Sequence, residues 1–78
     1  METVKVYGAD WCSMTHRTLE FLTRREIPHE YIDVEKDPKA SEWVKQQNGG
    51  KEIKPTVEIG RRVLSAPSNA ELDEAVGR

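Results

Sequence analysis

Cys12 is the only cysteine in the chain, set in Ala9-Asp10-Trp11-Cys12-Ser13-Met14-Thr15-His16-Arg17. A β-patterned run, Thr3-Val4-Lys5-Val6-Tyr7, precedes it, and a helix-patterned run with Leu19, Phe21, Leu22 and Ile27 follows it. The thiol therefore falls where a strand hands over to a helix. Free backbone N–H groups and the positive end of the helix dipole favour an anion there. A thiol in that position tends to ionise, and the thiolate is the reactive form. A lone cysteine can equally be a small buried hydrophobe; its place at a helix start favours the nucleophile.

The rest of the composition narrows what such a thiol can serve. With 78 residues the chain is one domain, 1–78, too short for two cores. A single cysteine excludes an intrachain disulfide and argues against a disulfide-stapled secreted module. No apolar run approaches the ~18 residues of a membrane span, and Met1-Glu2-Thr3 does not open a leader pattern. A cytoplasmic monomer, not associated with membranes, is expected. The formal charge of −2 gives no general pull toward nucleic acid.

The elements that must position Cys12 follow from periodicity and punctuation. Val4 and Val6 alternate with polar residues in a first strand over 3–7. A helix over 12–26 should stop before Ile27-Pro28, because a residue preceding proline disfavours helix. Tyr31, Ile32 and Val34 mark a second strand. Asp37-Pro38 reads as an N-cap with proline at the first helical position, opening a helix that buries Trp43 and Val44 and ends at Asn48-Gly49-Gly50. Thr56–Ile59 and Arg62–Ser65 form two strands around a Gly60-Arg61-Arg62 turn. Ser68 and Glu71 pair as a capping box for a last helix through Leu72, Ala75 and Val76.

The order is β-α-β-α-β-β-α, an α/β fold with a four-stranded mixed sheet flanked by three helices. The first β-α-β unit should be a right-handed parallel crossover and the last two strands an antiparallel hairpin. If the third strand runs opposite to the first, Pro55 starts at the Cys12 end of the sheet. The fourth strand then delivers Ser68 to the same end. Cys12, Pro55 and Ser68 converge.

Tyr7 to Cys12, Ile32-Asp33-Val34-Glu35-Lys36-Asp37-Pro38, Asn48-Gly49-Gly50, Pro55-Thr56-Val57 and Ala66-Pro67-Ser68 occur in an order and spacing that resembles the glutaredoxin branch of the thioredoxin-fold family, above all the mycoredoxins. The resemblance implies the thioredoxin fold, a cis proline at Pro55, and attack by Cys12 on a disulfide. It also implies substrate pairing with the backbone at Lys54 and Pro55. The family's Cys-x-x-Cys motif reads Cys12-Ser13-Met14-Thr15 here, so there is no internal resolving thiol and a two-cysteine cycle is excluded for the isolated chain. A monothiol cycle with a low-molecular-weight thiol, mycothiol or glutathione, remains open, with no tightly bound cofactor and thiolated or disulfide-bearing proteins as partners. A redox-inactive adaptor on the same scaffold is the competing reading, and Thr15 in place of the second cysteine favours it.

Thr15, Arg17 and Lys54 are candidates to stabilise the thiolate: Thr15 as a hydrogen-bond donor, the other two as cations. Thr15 reads equally well as a helix-surface residue, and Lys54 more simply as a solvated loop charge. Trp11, Ser13 and Met14 flank the thiol, and Ser68 with Asn69 opens the last helix where a substrate carboxylate could sit. His16 falls one turn from Cys12, but two ligands do not make a structural zinc site. Arg61 and Arg62 belong to a turn remote from the thiol.

Overall fold

The computed structural model describes residues 3–77. In chain order it contains β1 (Val4–Gly8), α1 (Ser13–Arg24), β2 (His29–Asp33), α2 (Pro38–Gln47), β3 (Thr56–Ile59), β4 (Arg62–Ser65) and α3 (Asn69–Ala75). The sheet order is β2-β1-β3-β4, with β1 and β2 parallel and the two other pairings antiparallel. The expected mixed sheet and three-helix order are both present.

β1 is a central strand covered on both faces, which is why its alternation fades at Tyr7 and Gly8, both buried. Val4 and Val6 pack with Leu22 of α1, Val57 and Ile59 of β3 and Leu72 of α3. Tyr7 turns the other way and joins Val34, Ala40 and Val44 under α2. There its ring stacks on Trp43 with centroids 4.6 Å apart. The molecule is a sheet between two helical layers, α1 and α3 on one side and α2 on the other. Leu22 and Leu72 are fully buried, so truncating either to alanine costs about 2–5 kcal/mol.

Register then delivers the site. Tyr7 pairs with Thr56 and Gly8 with Asp33, so Pro55 lies beside the end of β1 from which the chain runs to Cys12. The Lys54–Pro55 bond is cis, and the Pro55 carbonyl accepts from the Ala66 N–H at 2.7 Å. Asn48, at the end of α2, extends the same tie. Its side chain donates to the Val44 carbonyl at 2.8 Å and to the Thr56 hydroxyl at 3.3 Å, and accepts from the Ser65 hydroxyl.

Several boundaries differ from the sequence expectation, β1 by one residue at each end. α1 ends at Arg24 rather than at 26 because Glu26 takes a left-handed φ of 56°. Its N–H reaches the Thr23 carbonyl, and the Ile27 N–H reaches the Leu22 carbonyl. That is a Schellman closure, reached two residues before Pro28. Cys12 itself is the N-cap rather than the first helical residue. β2 begins at His29 and ends at Asp33, one residue before Val34. The Asp33 carboxylate takes the Glu35 N–H at 2.9 Å and its carbonyl takes the Lys36 N–H at 3.1 Å. This turn lifts the chain off the sheet.

Candidate active site

Cys12 is half-buried at the N-cap of α1, with φ −87° and ψ 115°. Burial pushes its thiol up. Against that act the Thr15 hydroxyl, the N–H groups of Thr15 and Met14, and the Lys54 ammonium, and the net movement is downward. The two N–H groups belong to the first turn of α1, where donors have no partner within the helix. The Cys12 side chain closes no capping hydrogen bond in the resting structure. The sulfur therefore lies within reach of donors without being committed to one.

Thr15 is fully buried, not on the helix surface. Its hydroxyl accepts from the Ala9 N–H at 3.4 Å, which leaves its own proton for the sulfur side. Room for it comes from Gly8: an added Cβ there would lie 2.4 Å from Thr15 Oγ1 and 2.5 Å from Cγ2. Sequence reasoning missed Gly8, although a glycine inside a strand pattern commonly marks such a close approach.

Lys54 is not a freely solvated charge. Its side chain is only 14% exposed. The ammonium pairs with Glu52 at 2.8 Å and sits 5.4 Å from the centroid of the Trp11 ring. Lys54 and the Ser41 hydroxyl together hold the Glu52 carboxyl below its ordinary value. Trp11 is 67% exposed, and its indole N–H donates to Glu35 at 2.6 Å. Glu35 and Glu52, neither singled out by the sequence, thus steady the two side chains flanking the thiol. Among the described residues no backbone hydrogen bond uses the N–H or C=O of Lys54.

On the other side of Cys12 lies a groove of about 400 Å³ lined by Met14, Arg17, Ser68 and Asn69, among others. Arg17 belongs to this groove and is not among the groups that shift the Cys12 thiol. Ser13 is exposed at the first helical position. At the start of α3 the capping box is complete: the Ser68 hydroxyl accepts from the Glu71 N–H at 3.1 Å, and the Ser68 N–H donates to the Glu71 carboxylate at 2.8 Å. Hence the Ser68 N–H already holds a carboxylate, the chain's own. Asn69 remains on the groove wall. His16 donates a ring N–H to the Asp10 carbonyl, which fastens the loop before Cys12. Among the described residues no group of three metal-ligating side chains comes together.

The glutaredoxin family model matches residues 4–64. The chain belongs to the glutaredoxin family. Mycoredoxin 1 of Corynebacterium glutamicum is 42% identical over 57 residues, 73% of this chain and 70% of that protein. Among solved structures, a glutaredoxin from Archaeoglobus fulgidus superposes with a TM-score of 0.86 at 29% identity, covering 100% of this chain and 89% of that one. NrdH-redoxin from Escherichia coli shares the fold, with a TM-score of 0.82 at 24% identity over 92% of each chain. The fold is therefore the thioredoxin fold, and this glutaredoxin is of the mycoredoxin-like kind. Family membership makes it a thiol–disulfide oxidoreductase with a small thiol as co-substrate and disulfide-bearing proteins as substrates. No helix among the described residues is long and apolar enough to cross a membrane.

Proposed function

We propose that this glutaredoxin reduces mixed disulfides between proteins and a low-molecular-weight thiol by a monothiol cycle through Cys12. The Cys12 thiolate attacks the small-thiol sulfur of a protein–S–S–R bond. The protein sulfur leaves with the electron pair and takes a proton from solvent. A second RS⁻ then attacks the R sulfur on Cys12, releasing R–S–S–R and regenerating the thiolate. The net exchange consumes protein–S–S–R and RSH and yields protein–SH and R–S–S–R. Mycothiol and glutathione are the candidate thiols.

The observation that carries this reading is the thiol at the α1 N-cap, drawn down by Thr15, Met14 and Lys54, in a chain with no second cysteine. In this cycle Thr15 and Lys54 stabilise the Cys12 thiolate, both before attack and when it leaves, while Arg17 lines the groove and does not act on the sulfur. Lys54 and Pro55 present backbone to the substrate, and Trp11, Ser13, Met14 and Asn69 form the walls beside the sulfur. Ser68 holds that wall in place through its cap.

The test is turnover of a mycothiolated and a glutathionylated peptide by the purified chain, each with its own thiol resupplied. Wild type should turn over at least one and Cys12→Ser neither. If wild type is inert with both while still alkylating readily at Cys12, the chain is a binding adaptor and the catalytic reading is wrong.

A further inference from the structure

The groove beside Cys12 does not end at Arg17. A second depression of about 350 Å³ continues from it, lined by Arg17, Glu20, Phe21, Arg24, Arg25 and Asn69, and shares Arg17 and Asn69 with the first. On α1, residues 17, 20, 21 and 24 follow the i, i+3, i+4, i+7 spacing of one helix face. The two depressions adjoin at Arg17 and Asn69 and follow α1 away from the Cys12 end, with the guanidinium groups of Arg24 and Arg25 in the second. At ~1.5 Å per residue, Arg17 lies ~7.5 Å and Arg24 ~18 Å along the axis from Cys12.

A tripeptide-sized thiol places its nearest carboxylate ~7–8 Å from sulfur, about level with Arg17, and leaves the second depression empty. An occupant that uses both needs a thiol on an arm of roughly 16–18 Å ending in an anion. In a pantetheine arm about 13 bonds separate sulfur from phosphorus, ~16 Å when extended. Forked guanidinium groups suit phosphate oxygens.

Carboxylates are also present and set the conditions. Glu20 accepts from Arg24 at 2.9 Å, but the side chains of that pair are 77% and 61% exposed, the kind of pair worth only ~0–1 kcal/mol. Arg25 is held by Asp73 and lies over the Phe21 ring, and Glu71 stands on the near wall. Arg17 makes no ion pair among the described residues. A phosphate of charge near −2 would compete with Glu20 for Arg24, with Arg17 as a further cation.

Building on the mixed-disulfide reading above, we infer that the Arg17–Arg24 groove binds thiols carried on a phosphopantetheine-type arm and makes their mixed disulfides substrates. The exchange is the same: the Cys12 sulfur bonds the sulfur of the arm, the protein thiolate leaves and is protonated, and a second thiol of that type releases the arm as a disulfide.

The experiment uses one peptide carrying pantetheine, 4′-phosphopantetheine or coenzyme A in disulfide linkage, beside its mycothiolated and glutathionylated forms. The phosphorylated arms should exceed pantetheine in kcat/KM by about tenfold, from charge-assisted hydrogen bonds to one phosphate. That ratio should shrink with added salt, collapse toward one in Arg24→Gln, and grow in Glu20→Gln. Coenzyme A above 4′-phosphopantetheine points to the free cofactor as the source. A carrier domain bearing the arm that outcompetes both points to a protein-bound arm. Equal rates with and without phosphate, alongside turnover of any other thiol, overturn this inference alone. As a readout independent of turnover, Cys12→Ser should bind oxidised 4′-phosphopantetheine in calorimetry and oxidised pantetheine far more weakly. Equal binding of the two overturns the inference even if every form of the peptide is inert, an outcome that would sink the oxidoreductase reading separately.

Discussion

Gly8→Ala puts a methyl group into space that Thr15 already fills. The added Cβ would stand 2.4 Å from Thr15 Oγ1, 2.5 Å from Cγ2 and 3.0 Å from Cβ. Thr15 is fully buried on the first turn of α1, so it cannot swing clear without dragging the helix start. Overpacking of this kind costs about 1–3 kcal/mol. Gly8 is not among the positive-φ residues, so alanine pays nothing in backbone strain and should recover about 0.5–1 kcal/mol in chain entropy once the clash is gone. Gly8→Ala in wild type should therefore cost about 2 kcal/mol, while in a Thr15→Ala background it should be neutral or mildly stabilising. The coupling between the two sites then comes to about 2–3 kcal/mol, well above the few tenths expected of independent positions. Urea unfolding of the four proteins measures it, and on heating the wild-type-background cost should appear as a fall in Tm of roughly 8–16 °C. Equal costs in the two backgrounds would refute the idea that Gly8 exists to seat Thr15.

Thr15→Val keeps the shape but removes the hydroxyl, so the alkylation rate of Cys12 against pH should shift toward the ~8.5 of a free thiol, and Thr15→Ser should not shift it. Because the folded protein holds this thiol below its ordinary value, the unfolded chain binds more protons between the folded and unfolded values. Stability should thus rise with pH across that window and be lost as pH falls through the folded value, a trend absent in Cys12→Ser. Thr15→Cys should form a disulfide with Cys12 and reduce protein disulfides without added small thiol; failure to form the bridge under oxidation would mean the Thr15 site is closed to the sulfur. Glu26→Gly removes a side chain from a left-handed residue and should raise stability by up to about 1 kcal/mol in urea unfolding.

Much of this was legible from single residues. Asp37-Pro38 and Ser68 with Glu71 announced their helix starts because caps are local chemistry, written within four residues. Convergence of Cys12 with Pro55 followed from strand direction alone. What stayed hidden depended on contacts between distant residues. Glu52 and Glu35 carried no signal of their own until the fold set one on Lys54 and the other on Trp11. Thr15 read with equal ease as a donor to the thiolate or as a helix-surface residue, because only the close passage of Gly8 shows that it is buried. The occupied Ser68 N–H was already implicit in the capping box, whose glutamate takes the place a ligand carboxylate would need.

Asn48-Gly49 is chemically a fragile pair, since a glycine N–H can attack the preceding side-chain amide and expel ammonia as the asparagine closes to a succinimide. In this protein the amide is engaged at both ends, its NH₂ on Val44 and Thr56 and its oxygen on Ser65. Those bonds hold the amide carbon away from the Gly49 nitrogen for as long as α2, β3 and β4 stay together. Ammonia loss at residue 48 should therefore be slow in the intact protein and fast in urea, as mass spectrometry of aged samples would show. Similar rates in the two would mean that the three bonds do not restrain the amide. The damage at that one position then works as a clock that runs only while the chain is open.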